Sequence, residues 1–144
     1  MYKVYSFNDI AVSFNHPGFG RSYSAVGEGI GDISISYAND RTAHDIGADG
    51  YVMISKIKDR TGTATLNVLQ TSGLNDYLSS WWRYIETAPA TEYADMTITI
   101  RGINGGDNIV LTGVAPQKPA DRPYQAQGQR VAWTLMVADV DIAV

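Results

Sequence analysis

Apolar and polar residues alternate with a period of two along most of this chain. That period governs the fold, because successive side chains of an extended strand point to opposite faces. Ile33, Ile35 and Tyr37 alternate with Asp32, Ser34 and Ser36. Ala64, Leu66 and Val68 alternate with Thr63, Thr65 and Asn67, and Met96, Ile98 and Ile100 with Thr97, Thr99 and Arg101. Each set reads as a half-buried strand. Near the C-terminus Val131, Trp133, Leu135 and Val137 alternate with Ala132, Thr134, Met136 and Ala138. Both sets are largely apolar, so a strand buried on both faces is expected, running on into Val140 and Ile142. Shorter candidates are Ile10 to Phe14, Tyr23 to Val26, Tyr51 to Ile57 and Ile109 to Val114, each bounded by Gly, Pro, Asn or Asp. The expected count is about eight strands.

One segment has the period of a helix. Leu74, Tyr77, Leu78, Trp81, Trp82 and Ile85 fall at i, i+3, i+4, i+7, i+8 and i+11, a single apolar stripe. Ser72 suits the N-cap, Asp76 meets the positive end of the helix dipole, and Pro89 follows the expected end. One helix laid against a sheet makes a mainly β domain spanning 1–144, sandwich or barrel-like. Trp82, Arg83 and Tyr84 cannot all face one sheet, so part of the helix surface is expected to meet a neighbouring subunit.

Asn104-Gly105-Gly106-Asp107 reads as a hairpin turn, which pairs the strands carrying Ile98 and Val110. Two connections, Ala38 to Gly50 and the Pro-containing Ala115 to Arg130, are longer than such a domain needs, and long loops tend to carry function. Gly27-Glu28-Gly29-Ile30-Gly31 has the wrong spacing for a dinucleotide fingerprint and leads into a strand, so a turn or bulge is expected.

Charge and composition exclude several classes. A net charge of -4 without a Lys/Arg cluster argues against duplex-DNA binding. The absence of Cys removes disulfides, thiolate zinc sites and Cys nucleophiles. No apolar run reaches the ~20 residues of a membrane helix, and the N-terminus lacks a signal-peptide core, so a soluble, non-membrane chain is expected. Asp40, His44, Asp45 and Asp49 cluster, but at neither a calcium-loop nor a zinc-helix spacing, which reads as a solvated loop and no metal site. His16 before Pro17-Gly18 is turn chemistry. No nucleophile, base and orienting group can be assembled, so neither catalysis nor a cofactor is expected.

The opening Met1 to Ile10, the Gly27 to Tyr37 segment, the Trp81-Trp82 helix and the Ala132-Trp133-Thr134 strand resemble tail tube proteins of contractile-tailed phages, related to the type VI secretion tube. The resemblance implies a sandwich or barrel-like fold with one flanking helix. It also implies a virion tail location and six-subunit rings stacked into a hollow tube within a sheath, with sheath, tail terminator and baseplate proteins as partners. The lumen would conduct genomic DNA during ejection without specific binding. A neutral to acidic wall suits that task, since it makes no counterion-releasing contacts with phosphates.

Matching segments then suggest roles. Ser34, Ser36, Thr63, Thr65 and Asn67 are the lumen-facing candidates. Arg41, His44, Asp45 and Asp49 of the long loop, Tyr2, Tyr5 and Phe7 at the N-terminus, and Arg122 and Tyr124 of the Pro-containing segment are inter-ring candidates. Leu74, Leu78, Trp81 and Ile85 are the helix packing residues. The rival reading is a carbohydrate-binding or adhesin-like β-sandwich of a virion, in which exposed Trp and Tyr stack on sugars.

Overall fold

The computed structural model describes residues 6, 9–26, 30–102 and 108–143. Among them are nine strands and one α-helix: β1 (Ile10–His16), β2 (Arg21–Val26), β3 (Ile30–Tyr37), β4 (Thr42–Ile46), β5 (Val52–Lys56), β6 (Gly62–Leu69), α1 (Gly73–Thr87), β7 (Met96–Gly102), β8 (Asn108–Pro116) and β9 (Arg130–Ala143). Seven strands form one antiparallel sheet in the order β2-β1-β7-β8-β9-β6-β3, while β4 and β5 pair separately as a hairpin.

Chain continuity forces this sheet to curl. β2 and β3 occupy opposite edges, yet only residues 27–29 separate them in sequence. In a flat sheet they would stand six spacings apart, about 29 Å. The four residue steps between them reach at most about 14 Å. The sheet therefore bends into a half-barrel, which decides between sandwich and barrel. Helix α1 touches both β2 and β6 across the opening. Its N-cap is Ser72, whose Oγ accepts from the Asn75 N–H at 3.2 Å, and Asp76 stands in the first turn.

The apolar stripe of α1 fills the half-barrel. Leu74, Leu78, Trp81 and Ile85 are fully buried with Phe14, Leu66, Met96, Leu111 and Trp133 from the sheet. Trp82 is only half-buried. Tyr77 closes the gap toward the β2 edge: its hydroxyl donates to the Arg21 carbonyl at 3.0 Å, and its ring meets Phe14, Phe19 and Tyr23. Burial pushes its pKa up.

Several expectations change. The long connection after Ala38 holds a strand, β4, because Thr42 to Ile46 finds a partner in β5 that its own sequence does not announce. The C-terminal strand is buried on one face only, with Ala132, Met136 and Ala138 exposed, since the sheet is a single layer there. β8 continues to Pro116, so the Pro-containing loop begins at Gln117. A register shift between Ile30 and Asp32 puts a bulge at Gly31. The Asn104 to Asp107 turn lies outside the described residues, and the strands on either side of it pair, with Ile98 opposite Leu111 and Thr99 opposite Val110.

His16 does more than start a turn. It is fully buried, its Nδ1 accepts the Phe19 N–H at 3.0 Å, and its Nε2 lies 2.8 Å from the Glu92 carbonyl. Acceptance at Nδ1 leaves Nε2 as the protonated nitrogen, so one neutral tautomer serves both bonds. Tyr84 packs edge-on against the imidazole and donates to Glu92 Oε2 at 2.7 Å, a bond that raises the pKa of the phenol.

Candidate functional site

The half-barrel has an apolar inner face and a polar outer one, and cross-strand register aligns the outer residues into rows. Ser34 of β3 stands opposite Thr65 of β6, which stands opposite Thr134 of β9. Ser36 pairs with Thr63, and Asp32 with Asn67, whose Nδ2 donates to Asp32 Oδ1 at 2.6 Å. A second row crosses the other half of the sheet through Ser24, Ser13, Thr99, Val110 and Asp141. All five sequence candidates Ser34, Ser36, Thr63, Thr65 and Asn67 thus share one face. Thr134, Ser13, Ser24 and Thr99 belong to it as well, although the sequence reading did not select them. Their signal was present in the same alternation that marked the strands.

Charge on this face is sparse and in part compensated. Arg60 bonds Asp139 at 2.7 Å and Asp141 at 3.2 Å. Among the described residues these are the ion pairs that form. Arg101, Asp32 and Arg130 are further exposed charges on it, and Arg130 shares its side of β9 with Ala132 and Thr134.

The second element is the β4–β5 hairpin, which carries Arg41, His44, Asp45 and Asp49. Every residue of its strands is exposed. Ile46, Val52 and Ile54 share one side, with Ile54 69% exposed. Tyr51 is 75% exposed at the tip. The tip turns through Gly50 at φ +87°, a conformation that favours glycine, and Asp49 Oδ1 accepts the Tyr51 N–H at 3.1 Å. At the base Arg41 lies over the Tyr37 ring, 4.7 Å from its centroid. Asp59 fastens the base to the sheet, accepting from the Thr61 hydroxyl and N–H at 2.6 and 3.0 Å and from Asn39 Nδ2 at 2.5 Å. Those bonds, the Thr61 hydroxyl first, lower its pKa to about 2.

The third element is the loop between β8 and β9. Arg122 donates to Ser79 Oγ of α1 at 2.8 Å, Gln70 Nε2 donates to the Pro123 carbonyl at 2.8 Å, and Tyr124 is 81% exposed. Against the outward face of β9 this loop forms a cleft of about 440 Å³ lined by Lys118, Arg122, Arg130, Pro119 and Pro123 together with Ala132 and Thr134. The candidates Tyr2, Tyr5 and Phe7 lie outside the described residues. Among the described residues no three of His, Cys, Asp and Glu converge on a metal-sized site, and Asp40, His44, Asp45 and Asp49 spread along the exposed hairpin.

The same fold occurs in chains from several contractile injection assemblies. A chain from the sheath-tube complex of an extracellular contractile injection system, PVC, in the extended state superposes with a TM-score of 0.60 at 15% identity, covering 99% of this chain and 93% of the other. One from the anti-feeding prophage tube terminating cap gives a TM-score of 0.62 at 13% identity, covering 100% and 93%. One from the anti-feeding prophage baseplate gives 0.58 at 10%, covering 99% and 97%. At these identities the likeness is one of fold. A sequence search of curated proteins gives no match. Sequence assigns the family: the chain belongs to the Bacteriophage PhiTE tail tube proteins, whose family profile matches residues 2–144. It is a structural subunit of a phage tail tube and a component of the virion tail.

Proposed function

We propose that this subunit closes into hexameric rings that stack within a contractile sheath, with the Ser/Thr face of the sheet turned to a lumen through which DNA passes. The observation that carries this reading is the hydroxyl pairing of Ser34 with Thr65 and of Ser36 with Thr63, in the part of the face that does not line the cationic cleft reached by Thr134 and Arg130. Hydroxyls hydrate the wall, and a surface without clustered Lys or Arg releases no counterions to phosphate, so DNA slides. Ring closure also meets a need of the lone chain. β2 and β3 are open sheet edges, and unpaired edges are aggregation hazards unless another strand or copy covers them.

The projecting hairpin is the arm we assign to contacts between copies. A two-stranded hairpin with no packed face is marginal in water, and its exposed Ile46, Val52 and Ile54 call for a neighbour. Sheath, terminator and baseplate proteins are the partners proposed, by analogy with the named assemblies of the structural relatives. The same family relation supports a structural role for the chain.

The test has two parts. Negative-stain images of the purified protein are expected to contain hollow rings or tubes. Virions carrying Ser34→Lys and Thr65→Lys are expected to retain their tails and eject DNA more slowly; ejection at the wild-type rate sinks the lumen assignment. The sugar-binding alternative has less to stand on, because Trp81 and Trp133 are fully buried and Trp82 half-buried.

A further inference from the structure

The hairpin tip and the cleft under the β8–β9 loop have opposite chemistry. The tip presents Asp45 and Asp49 beside exposed Ile46, Tyr51 and Met53. The cleft presents Lys118, Arg122 and Arg130 around Pro119 and Pro123, with Asp121 as its single carboxylate and Ala132 and Thr134 of β9 along its sheet side, beyond the Ser34–Thr65 pair. Among the described residues none of these three cations forms an ion pair, since the ion pairs there belong to Arg60. Three unpaired cations against one carboxylate in a protein of net charge -4 make a local surplus that an acidic partner would neutralise.

We infer that the acidic, apolar tip of the β4–β5 hairpin of one copy seats in the basic, proline-walled cleft of a second copy. The claim rests on the tube reading and names the receptor for the arm that reading invokes. Tip and cleft are different surfaces, and in the rings of the tube reading the contact is heterologous: each copy donates a tip to one neighbour and accepts a tip from another. Contacts of that type propagate into rings or open stacks. Proline and Ala120 walls receive the aliphatic and aromatic side chains without an ordering cost of their own, and the cations set the register of the docked tip. The hairpin gains the packed face it lacks.

The experiment swaps charge on each side of the full chain. The tip variant is Asp45→Lys with Asp49→Asn, which keeps an acceptor for the Tyr51 N–H. The cleft variant is Arg122→Glu with Arg130→Glu. Assembly is read by sedimentation and negative stain, and folding by circular dichroism and the thermal midpoint. Each variant alone is expected to lose assembly at least tenfold while remaining folded. The two sets combined in one chain are expected to restore it. An equimolar mixture of the separate variants is also expected to restore it, because each tip then meets a complementary cleft only on the other variant. Normal assembly of either variant alone overturns the inference. So does loss that neither combination nor mixing restores in folded proteins. Should a cleft variant misfold, Arg130→Glu alone with Asp45→Lys repeats the cycle without touching the Arg122 bond to Ser79. Wild-type protein that forms no rings or tubes overturns the tube reading and this inference together, whereas wild-type tubes that survive every swap overturn the inference alone.

Discussion

The indole N–H of Trp133 donates to Asn75 Oδ1 at 3.2 Å in the middle of the core, joining β9 to the first turn of α1. Asn75 is itself held, its Nδ2 donating to the Gln70 carbonyl at 3.1 Å. A few ångströms of core therefore contain one polar relay from strand to helix to loop. Asn75→Leu removes the acceptor and strands a buried indole N–H, which costs about 1–3 kcal/mol. At roughly 3 °C per kcal/mol for a chain of this size, the thermal midpoint should fall by several degrees. A midpoint within 1 °C of wild type, roughly a third of a kcal/mol on that scale, would show that water or a shifted side chain replaces Asn75.

Trp81 provides the contrast. Its Nε1 is buried with no hydrogen-bond partner among the described residues. Phe in its place removes volume but also an unsatisfied donor, whereas Trp133→Phe removes volume and a made bond. Trp133→Phe is expected to be the more destabilising by about 1 kcal/mol, measured by chemical denaturation of the two variants.

His16 holds the turn after β1 to the segment after α1. His16→Leu matches its burial but leaves the Phe19 N–H and the Glu92 carbonyl without partners, and two such losses cost about 2–4 kcal/mol. The loss should be local in origin, so hydrogen exchange ought to quicken first around residues 16–20. Uniform acceleration across the sheet would contradict this.

Strand existence was legible because period two leaves its mark wherever a sheet has one dry face, and the Ser72 to Ile85 pattern marked the helix for the same reason at period 3.6. The hairpin was harder. β4 has no buried face, so Thr42 to Ile46 carries no alternation to read, although its equally exposed partner β5 falls within the expected Tyr51 to Ile57 strand. The buried faces of β9 slip phase between Val137 and Val140, a change visible in sequence, but its cause is not local to β9. Gly113 of β8, at φ +66°, bends the paired strands beside Ala138, and Leu111 and Val114 slip phase in step with their partners. The polar face was recognised in part: Ser34 and Thr65 by alternation, while the rows they join needed the register.

Gly113 also yields a prediction. A Cβ built there would lie 2.6 Å from the Ala138 Cβ, on a backbone conformation that side chains rarely adopt. Gly113→Ala must relieve both the clash and the positive φ, each costing on the order of 1–3 kcal/mol. The thermal midpoint should drop well beyond what the Asn75 substitution causes. Gly128, with nothing within 4 Å of the added atom, supplies the control and should tolerate Ala with little change.

Asp59 makes the base of the hairpin sensitive to acid. Its carboxyl is held at about 2, below the ordinary 3.8, because the Thr61 hydroxyl, the Thr61 N–H and the Asn39 amide all donate to the charged form. The folded state thus binds its proton less readily than the unfolded chain. Its contribution to stability is present above the unfolded pKa near 3.8 and is lost as pH falls toward 2. Asp59→Ala should lower the thermal midpoint modestly at pH 7, because the group is exposed and solvent screens it. The gap between wild type and variant should then narrow as pH drops from about 4 to about 2. Thermal melts of both proteins across that range decide it: a gap that stays constant or widens toward low pH would mean that the Thr61 and Asn39 bonds do not depend on the carboxylate charge.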